Sequence, residues 1–185
     1  LLTLFNQIFL KEEIPLSFRS SVIIPLHKKG DVNSPQNYRG LSLLDSIYKI
    51  FTGLLLNRLN EWVNQHNINN EFQAGFRKGY STIDNIFNMS SIVHLNFNKE
   101  NLYLFVDFSA AFDMIPRNSL FYKLCTEGLS RKMIVLLQKL YQNTNSQVWD
   151  GCSLSDLFEV DQGVSLYLND LNDFLPGGIN IGGMT

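Results

Sequence analysis

Apolar residues recur along this chain at two spacings, one typical of helices and the other typical of strands. Recurrence at every third or fourth position predicts helices, which are expected over residues 1–10, from Ser42 or Asp45 to about residue 65, and over residues 81–97, 118–127 and 130–140. Short apolar runs bounded by turn residues predict strands, which are expected over residues 21–26, 102–106, 146–149, 157–160 and 179–181. Pro25 cannot donate to a ladder, so the first strand is expected to lie at an edge or a bulge. The core positions expected on the second helix are Ile47, Ile50, Leu54, Leu55, Leu59 and Trp62.

A carboxylate directly follows the strand predicted over residues 102–106. That strand is rich in aromatic and β-branched types, which indicates burial on both faces. Asp107 follows it, and Asp113 comes a short turn later. A buried carboxylate is costly unless a metal or a cation offsets it, and magnesium combines few carboxylates with substrate phosphates. The pattern is compatible with a phosphoryl-transfer site and with an aspartate that caps a turn, and spacing alone favours the cap.

Composition indicates a globular chain with a sizeable core, since 45% of its 185 residues are hydrophobic. The net charge is -2, but residues 1–100 carry ten Lys and Arg against eight Asp and Glu, whereas residues 101–185 carry five against nine. A slightly basic part therefore precedes an acidic part. Cys125 and Cys152 have no paired spacing and are expected to be small buried hydrophobes. With no apolar run of membrane-spanning length and no signal peptide, a soluble, reducing compartment is the default expectation. The first residue is Leu, which suggests that an upstream part is missing.

Two basic segments interrupt this pattern. The first joins His27-Lys28-Lys29-Gly30-Asp31 to Tyr38-Arg39, in which a guanidinium suited to phosphate oxygens follows an aromatic residue. The second, residues 72–82, interleaves an Arg-Lys pair with three aromatic residues and two glycines, a mixture suited to single-stranded nucleic acid. A solvated hairpin tip and a plain loop are the alternatives for these two segments, respectively.

Taken together, these segments resemble the reverse transcriptases of non-LTR retrotransposons of the LINE type. The matching residues are Ile24-Pro25-Leu26-His27-Lys28-Lys29-Gly30-Asp31, Asn37-Tyr38-Arg39-Gly40-Leu41-Ser42-Leu43-Leu44, Gln73-Ala74-Gly75-Phe76-Arg77 with Ser81-Thr82, and Phe105-Val106-Asp107-Phe108-Ser109 with Ala111-Phe112-Asp113. The resemblance implies an α+β fold, the right-hand polymerase, with fingers over residues 1–100 and a partial palm with an incomplete antiparallel sheet over residues 101–185.

The resemblance also implies roles for individual residues. Asp107 would be the catalytic metal ligand, helped by the carbonyl of Phe108, in a site for two magnesium ions. The incoming nucleotide would contact Lys28, Lys29, Arg39 and Phe112. The template would contact Gln73, Gly75, Phe76, Arg77, Gln162 and Gly163. Asp113 and Arg117 match family letters as well, and we expect them to support the turn structurally.

Several departures from the family pattern affect the expected activity. Gly40 and Ala110 replace the usual Pro and Lys, and Gln162-Gly163 joins residues 164–171 without the Ser-Pro run that normally intervenes. No x-Asp-Asp sequence follows Leu171, so one carboxylate would serve two ions. The resemblance therefore predicts a fragment of an RNA-directed DNA polymerase that binds Mg²⁺ weakly and is inactive as this chain.

The partners implied by the resemblance are an RNA template, a DNA primer and deoxynucleoside triphosphates (dNTPs), with no membrane. An endonuclease domain is possible in the full-length element, and an intracellular site, cytoplasmic or nuclear, is implied. Two other functions stay open on the residues alone. One is a non-catalytic nucleic-acid-binding remnant that uses Arg39, Arg77 and Lys78, and the other is an unrelated α/β module in which Asp107 caps a turn.

Overall fold

Five helices and four strands form the described part of the chain. The computed structural model describes residues 1–69, 72–75, 77, 79–100, 102–107 and 114–161. The helices are α1 (Leu2–Lys11), α2 (Ser46–His66), α3 (Thr82–Leu95), α4 (Arg117–Thr126) and α5 (Arg131–Tyr141). The strands are β1 (Ser20–His27), β2 (Tyr38–Leu44), β3 (Asn145–Val148) and β4 (Phe158–Glu159). Short 3-10 helices span Leu16–Arg19 and Pro35–Asn37. This mixture confirms the α+β class. No described helix combines the length and apolarity that a membrane crossing requires.

The sheet has the strand order β2-β1-β3-β4. Strand β1 runs antiparallel to β2 over Ser21–His27 and pairs with β3, in parallel, over Ser20–Ile23, so the described sheet is mixed rather than wholly antiparallel as expected. Ile23 O accepts a hydrogen bond from Trp149 N, so Pro25, two residues on, faces the same side of β1, beyond the end of β3. Strand β1 is therefore not the edge strand that we expected, but within the described residues the side of β1 to which Pro25 would have donated has no neighbouring strand at that position.

The core lies where α1, α2, α4 and α5 meet the connecting segments. Its fully buried side chains include Ile8, Leu55, Leu59, Leu120, Leu124, Leu136, Leu137 and Leu140. Helix α2 begins at Asp45, whose carboxylate accepts hydrogen bonds from two backbone amides of the first turn. Ring contacts between Phe18 and Tyr48 at 5.4 Å, and between Phe5 and Phe51 at 5.3 Å, show which face of α2 is packed.

Three of the core positions expected on α2 are wrong. Ile47, Ile50 and Leu54 are exposed, although Leu55 and Leu59 are buried. The reason is that α1 and the Leu16–Arg19 turn cover the face that carries Tyr48 and Phe51, which lies to one side of the stripe that the apolar spacing suggested.

The prediction of two buried cysteines is also wrong, because Cys125 and Cys152 are both exposed. On α4, Leu120, Phe121 and Leu124 occupy the packed face, which leaves Cys125 on the solvent side. Cys152 lies in an exposed turn, where its backbone amide donates to the Asp150 carboxylate at 2.7 Å.

Residues 102–106 form no strand, so the prediction of a buried central strand there is wrong. Leu102 is 97% exposed and Phe105 is 76% exposed, and no described strand pairs with this segment. A strand exists only through hydrogen bonds to a neighbour, and the described sheet ends at β2 on one side and at the two-residue β4 on the other. Apolar composition alone therefore does not place these residues in the sheet.

Helix starts were predicted with more success than burial. Helices α3 and α5 begin within one or two residues of the expected positions, where Ser81 and Asp84 form a capping box and Ser130 caps α5, which buries Ile134, Leu137 and Leu140. The strands around residues 150 and 151 also form, as β3 and β4 in antiparallel pairing. The apolar side chains of α3, however, are exposed, including Ile83, Ile86, Phe87 and Val93. The strand predicted at residues 179–181 lies outside the described residues.

Candidate nucleic-acid interface

The β1–β2 hairpin carries the first group of candidate residues, and its register brings two of them to one face. Leu26 pairs directly with Arg39, and Lys28 N donates to Asn37 O at 2.8 Å, so the ladder continues past the end of β1. Residues two apart in a strand face the same side, and directly paired residues share a face. Lys28 and Arg39 are therefore diagonal neighbours on one face of the hairpin.

The loop between the two strands is held by its own polar groups. The Asp31 carboxylate accepts hydrogen bonds from the backbone amide of Asn33 at 2.9 Å and from its side-chain amide at 3.2 Å. The Asn37 amide donates to Asp31 O at 2.9 Å, and the Tyr38 hydroxyl donates to Val32 O at 2.9 Å. These contacts hold the Asp31 carboxylate within its own loop, and no described carboxylate lies within 4.0 Å of the ammonium group of either neighbouring lysine.

Gly30 is required by the shape of this loop. Its φ is +91°, a conformation that side chains disfavour, and a Cβ placed on it would lie 2.8 Å from Nδ2 of Asn37. The His27 ring lies 5.2 Å from the Tyr38 ring, edge-on, and its Nε2 is 3.2 Å from Gly30 O. Backbone conformation and ring packing thus fix the same turn.

The hairpin presents positive charge to solvent. Lys28, Lys29 and Arg39 are all exposed, and in the described part of the chain no carboxylate lies within 4.0 Å of any of them. An exposed cation pair on a rigid turn is suited to phosphate oxygens, since the backbone that carries both side chains is already fixed before binding.

The second candidate group surrounds Arg77. The guanidinium of Arg77 lies over the Tyr80 ring at 4.2 Å and donates from Nη1 to Gln73 O at 3.2 Å. This arrangement fixes the guanidinium plane against an aromatic ring, within a segment that also contains Gly75. Phe76 and Lys78 lie outside the described residues.

The carboxylates are not brought together within the described residues. Asp107 is exposed, and residues 102–107 join no strand of the sheet. Among the described ranges, no three His, Cys, Asp or Glu side chains group closely enough to hold a metal ion. Phe108, Phe112, Asp113, Gln162 and Gly163 lie outside the described residues.

Arg117 makes structural contacts with the end of α5 and with Thr144, whereas residues 108–113, the turn that we expected it to support, lie outside the described residues. Its Nη1 donates to Tyr141 O at 2.8 Å and to Thr144 Oγ1 at 3.1 Å, and the Thr144 hydroxyl donates to Val160 O at 2.8 Å. Burial lowers the pKa of the Arg117 guanidinium from its usual value, while Tyr141 and Asp161 oppose that effect. Arg117 therefore ties the start of α4 to the end of α5 and, through Thr144, to β4.

Comparison with known proteins places this chain in a family. The family model described as "Reverse transcriptase (RNA-dependent DNA polymerase)" matches residues 26–164, from the residue paired with Arg39 to a point beyond β4. That family is generally magnesium-dependent, and it implies an RNA template and nucleotide substrates.

Three curated proteins are similar to this chain. The probable RNA-directed DNA polymerase from transposon BS of Drosophila melanogaster is 30% identical over 123 residues, which are 65% of this chain and 14% of that protein. The RNA-directed DNA polymerase from mobile element jockey of the same species is 33% identical over 126 residues, which are 65% of this chain and 13% of that protein. The transposon TX1 uncharacterized 149 kDa protein of Xenopus laevis is 27% identical over 161 residues, or 86% of this chain and 12% of that protein.

The matches cover most of this chain but only a small part of each relative. The chain spans about an eighth of each of these relatives, and the family match covers well over half of the chain. The match includes the charged hairpin, the Arg77 segment and Asp107. This chain belongs to the reverse transcriptase family of RNA-dependent DNA polymerases, as a fragment related to the LINE-type transposon enzymes.

Proposed function

We propose that this chain forms the fingers, over residues 1–100, and part of the palm, over residues 101–185, of an enzyme that copies RNA into DNA from dNTPs. The observation that carries the proposal is the hairpin register, which sets Lys28 and Arg39 on one face of a locked turn. Both side chains are exposed and have no carboxylate within 4.0 Å among the described residues. They bind the triphosphate of the incoming nucleotide.

Lys28 has the larger part in this contact. It extends the β1 ladder and shares the face of Arg39, whereas Lys29 lies in the bend that follows. Lys29 adds positive potential without the same fixed geometry. In the same proposal Phe112 lies below the sugar and excludes a 2'-hydroxyl, a steric role that an aromatic ring can perform.

The template strand contacts Gln73, Gly75, Phe76, Arg77, Gln162 and Gly163. Support comes from the stacking of Arg77 on Tyr80, which orients a guanidinium before any nucleic acid binds. Among the described residues nothing lies within 4 Å of the position of a Cβ at Gly75, which would let a phosphodiester approach its backbone closely. Together these features suit a strand that is held by its phosphates.

Asp107 and the carbonyl of Phe108 are the proposed magnesium ligands. The described residues do not assemble a complete metal site around Asp107, and the printed sequence has no x-Asp-Asp after Leu171. A site for two metal ions needs more than one carboxylate to fix both ions. We infer that the 185-residue polypeptide binds nucleotide and template but does not extend a primer by itself.

Nucleotide binding tests the hairpin assignment. Fluorescence anisotropy of a labelled dNTP should show binding to the purified chain, and Lys28→Gln with Arg39→Gln should weaken it about tenfold or more, as expected for lost charged hydrogen bonds. Lys123→Gln with Lys139→Gln is the matched control, because it also removes two positive charges and both lysines are already paired, with Glu127 and Glu12. Equal losses in the hairpin variant and in the control would contradict the assignment.

Primer extension tests the inference of inactivity. The purified chain is incubated with an RNA template, a DNA primer, dNTPs and Mg²⁺, and no extended primer is expected. Extension that is lost in Asp107→Asn would show that the chain is a competent polymerase. Nucleic-acid binding without dNTP binding would favour the non-catalytic remnant.

A further inference from the structure

Two cations from different helices flank one aromatic ring, well away in sequence from the hairpin. Cζ of Arg58 on α2 lies 4.7 Å from the centroid of the Phe9 ring, and Nζ of Lys132 on α5 lies 4.6 Å from the same centroid. Phe9 itself lies on α1 and packs against the core. Three helices thus converge on what we call the Phe9 cluster, namely Phe9, Arg58 and Lys132.

The described residues supply no close negative charge to this cluster. In the described ranges, neither Arg58 nor Lys132 has a carboxylate within 4.0 Å. Lys139, two turns further along α5, is by contrast paired with Glu12 at 3.8 Å. Two like charges held beside one ring repel each other and raise the local positive potential, which an anion between or above them would relieve.

We propose that the Phe9 cluster binds the phosphodiester backbone of a single-stranded nucleic acid, at a contact separate from the hairpin. A ring face that holds a cation is not available for stacking on a base, so the cluster contacts phosphate and reads no sequence. The cations come from two helices, and a backbone with repeated phosphates can reach both of them. The choice of nucleic acid as the anion rests on the proposed function.

Salt dependence of binding tests this contact on the 185-residue chain. The affinity of a fluorescein-labelled oligouridylate is measured across a range of salt concentrations for the wild type and for the double variant Arg58→Gln with Lys132→Gln. Removing two phosphate contacts should lower the slope of log affinity against log salt by about 1.4, the value expected for single strands. The affinity at low salt should fall about tenfold.

The control double variant is Lys99→Gln with Lys123→Gln, which removes the same charge from other segments. Its slope should stay close to the wild-type value. Equal changes in the two double variants would overturn the proposal, since net charge alone would then explain the binding. Replacing the labelled oligouridylate by an oligocytidylate should leave all the affinities unchanged, and a strong preference for one of the two would also contradict a phosphate-only contact.

Two further variants separate charge from fold. Arg58→Lys with Lys132→Arg keeps both charges and should restore most of the affinity. If the double Gln variant does not fold, the single variant Lys132→Gln, at a half-buried position, should lower the slope by about 0.7. If the slope for that single variant equals the wild-type slope, the proposal is overturned.

Failure of this inference can be told apart from failure of the proposed function. The Phe9-cluster variant should leave dNTP binding unchanged, whereas the Lys28 and Arg39 variant should weaken it. Loss of oligouridylate binding in the cluster variant, in a protein that never binds dNTP, would support the Phe9 cluster and refute the nucleotide site. Normal oligouridylate binding in the cluster variant, with dNTP binding intact in the wild type, would refute the Phe9 cluster and support the nucleotide site.

Discussion

In the turn of the β1–β2 hairpin, the side-chain hydrogen bonds of Asp31, Asn37 and Tyr38 reach partners at most six positions away. Along residues 82–107, by contrast, the backbone hydrogen bonds of α3 are equally local, but large apolar side chains face solvent, with Phe87 at 70% and Leu95 at 84% exposure. The hairpin has polar groups that satisfy one another, whereas the second region has apolar groups that no described residue covers.

This contrast shows which parts of the fold the chain determines by itself. A turn whose donors and acceptors are all nearby forms wherever its two strands pair. An apolar helix face or an apolar extended segment is stabilised only by contacts from elsewhere in the sequence. The cationic hairpin therefore stands on local chemistry, and the surroundings of Asp107 depend on distant residues.

The largest expected difference in the free energy of unfolding is between the loss of a buried and the loss of an exposed apolar side chain. Leu137 on α5 is fully buried, so Leu137→Ala should destabilise the chain by about 2–5 kcal/mol through lost burial and a cavity. Ile86→Ala on α3 should change the free energy of unfolding by less than about 0.5 kcal/mol. Urea unfolding measures both variants. A cost for Ile86→Ala close to that of Leu137→Ala would show that α3 is packed in solution, and it would break the comparison.

The second prediction compares Gly30 and Gly79, two glycines that share a backbone conformation but differ in their neighbours. Gly30 and Gly79 both have a φ of +91°, so an alanine at either position costs about 1–2 kcal/mol of backbone strain. At Gly30 the new Cβ also displaces Asn37 from its hydrogen bond to Asp31, which adds about 1 kcal/mol. Nothing lies within 4 Å of a Cβ at Gly79. Thermal unfolding should therefore rank Gly30→Ala as more destabilising, and the reverse order would show that the loop is not locked as described.

A smaller effect is expected from one hydrogen bond of the turn. Tyr38→Phe removes the hydroxyl that donates to Val32 O, and the exposed site places the cost at about 0.5–1 kcal/mol. Tyr122→Phe is the control, because the Tyr122 side chain is exposed and its hydroxyl makes no hydrogen bond among the described residues. The urea midpoints of the two variants check this prediction. Equal midpoints would show that the Tyr38 hydrogen bond does not stabilise the turn.

The smallest effect concerns pH in the turn between β3 and β4. Hydrogen bonds from the backbone amides of Ser153 and Cys152 lower the pKa of Asp150 below its ordinary value of 3.8. The ionised carboxylate therefore stabilises the folded chain above pH 3.8, and this contribution disappears as the pH falls through the lower folded pKa. Asp150→Asn should remove that part of the acid dependence, while Asp156→Asn, a control in the same exposed turn, should leave it. Unfolding curves measured between neutral and acid pH compare the two.

Local signals in the sequence were sufficient for the helix starts and for the turn chemistry. Asp45, Ser81 and Ser130 begin helices because a side-chain oxygen satisfies free backbone amides within three residues, a distance over which no tertiary information is needed. The placement of Lys28, Lys29 and Arg39 on an exposed hairpin follows from the same kind of signal.

Features that depend on distant partners were not predictable from the sequence. Residues 102–106 have the composition of a central strand, but pairing depends on a neighbour that composition does not specify. The Phe9 cluster joins positions 9, 58 and 132 on three helices, and no sequence spacing connects them. The domain boundary at residue 100 and the roles of the individual site residues stay predictions.

Pro25 has a consequence for how copies of this chain meet one another. Among the described residues no strand pairs with its side of β1 past Ile23, where an apolar strand with free backbone groups would be a template for edge-to-edge association and fibre growth. Because proline lacks the N–H that would point to that side, an added strand loses one hydrogen bond of its ladder at this position. A residue that interrupts nothing within the folded chain thereby protects a concentrated solution of the protein against self-assembly through this edge.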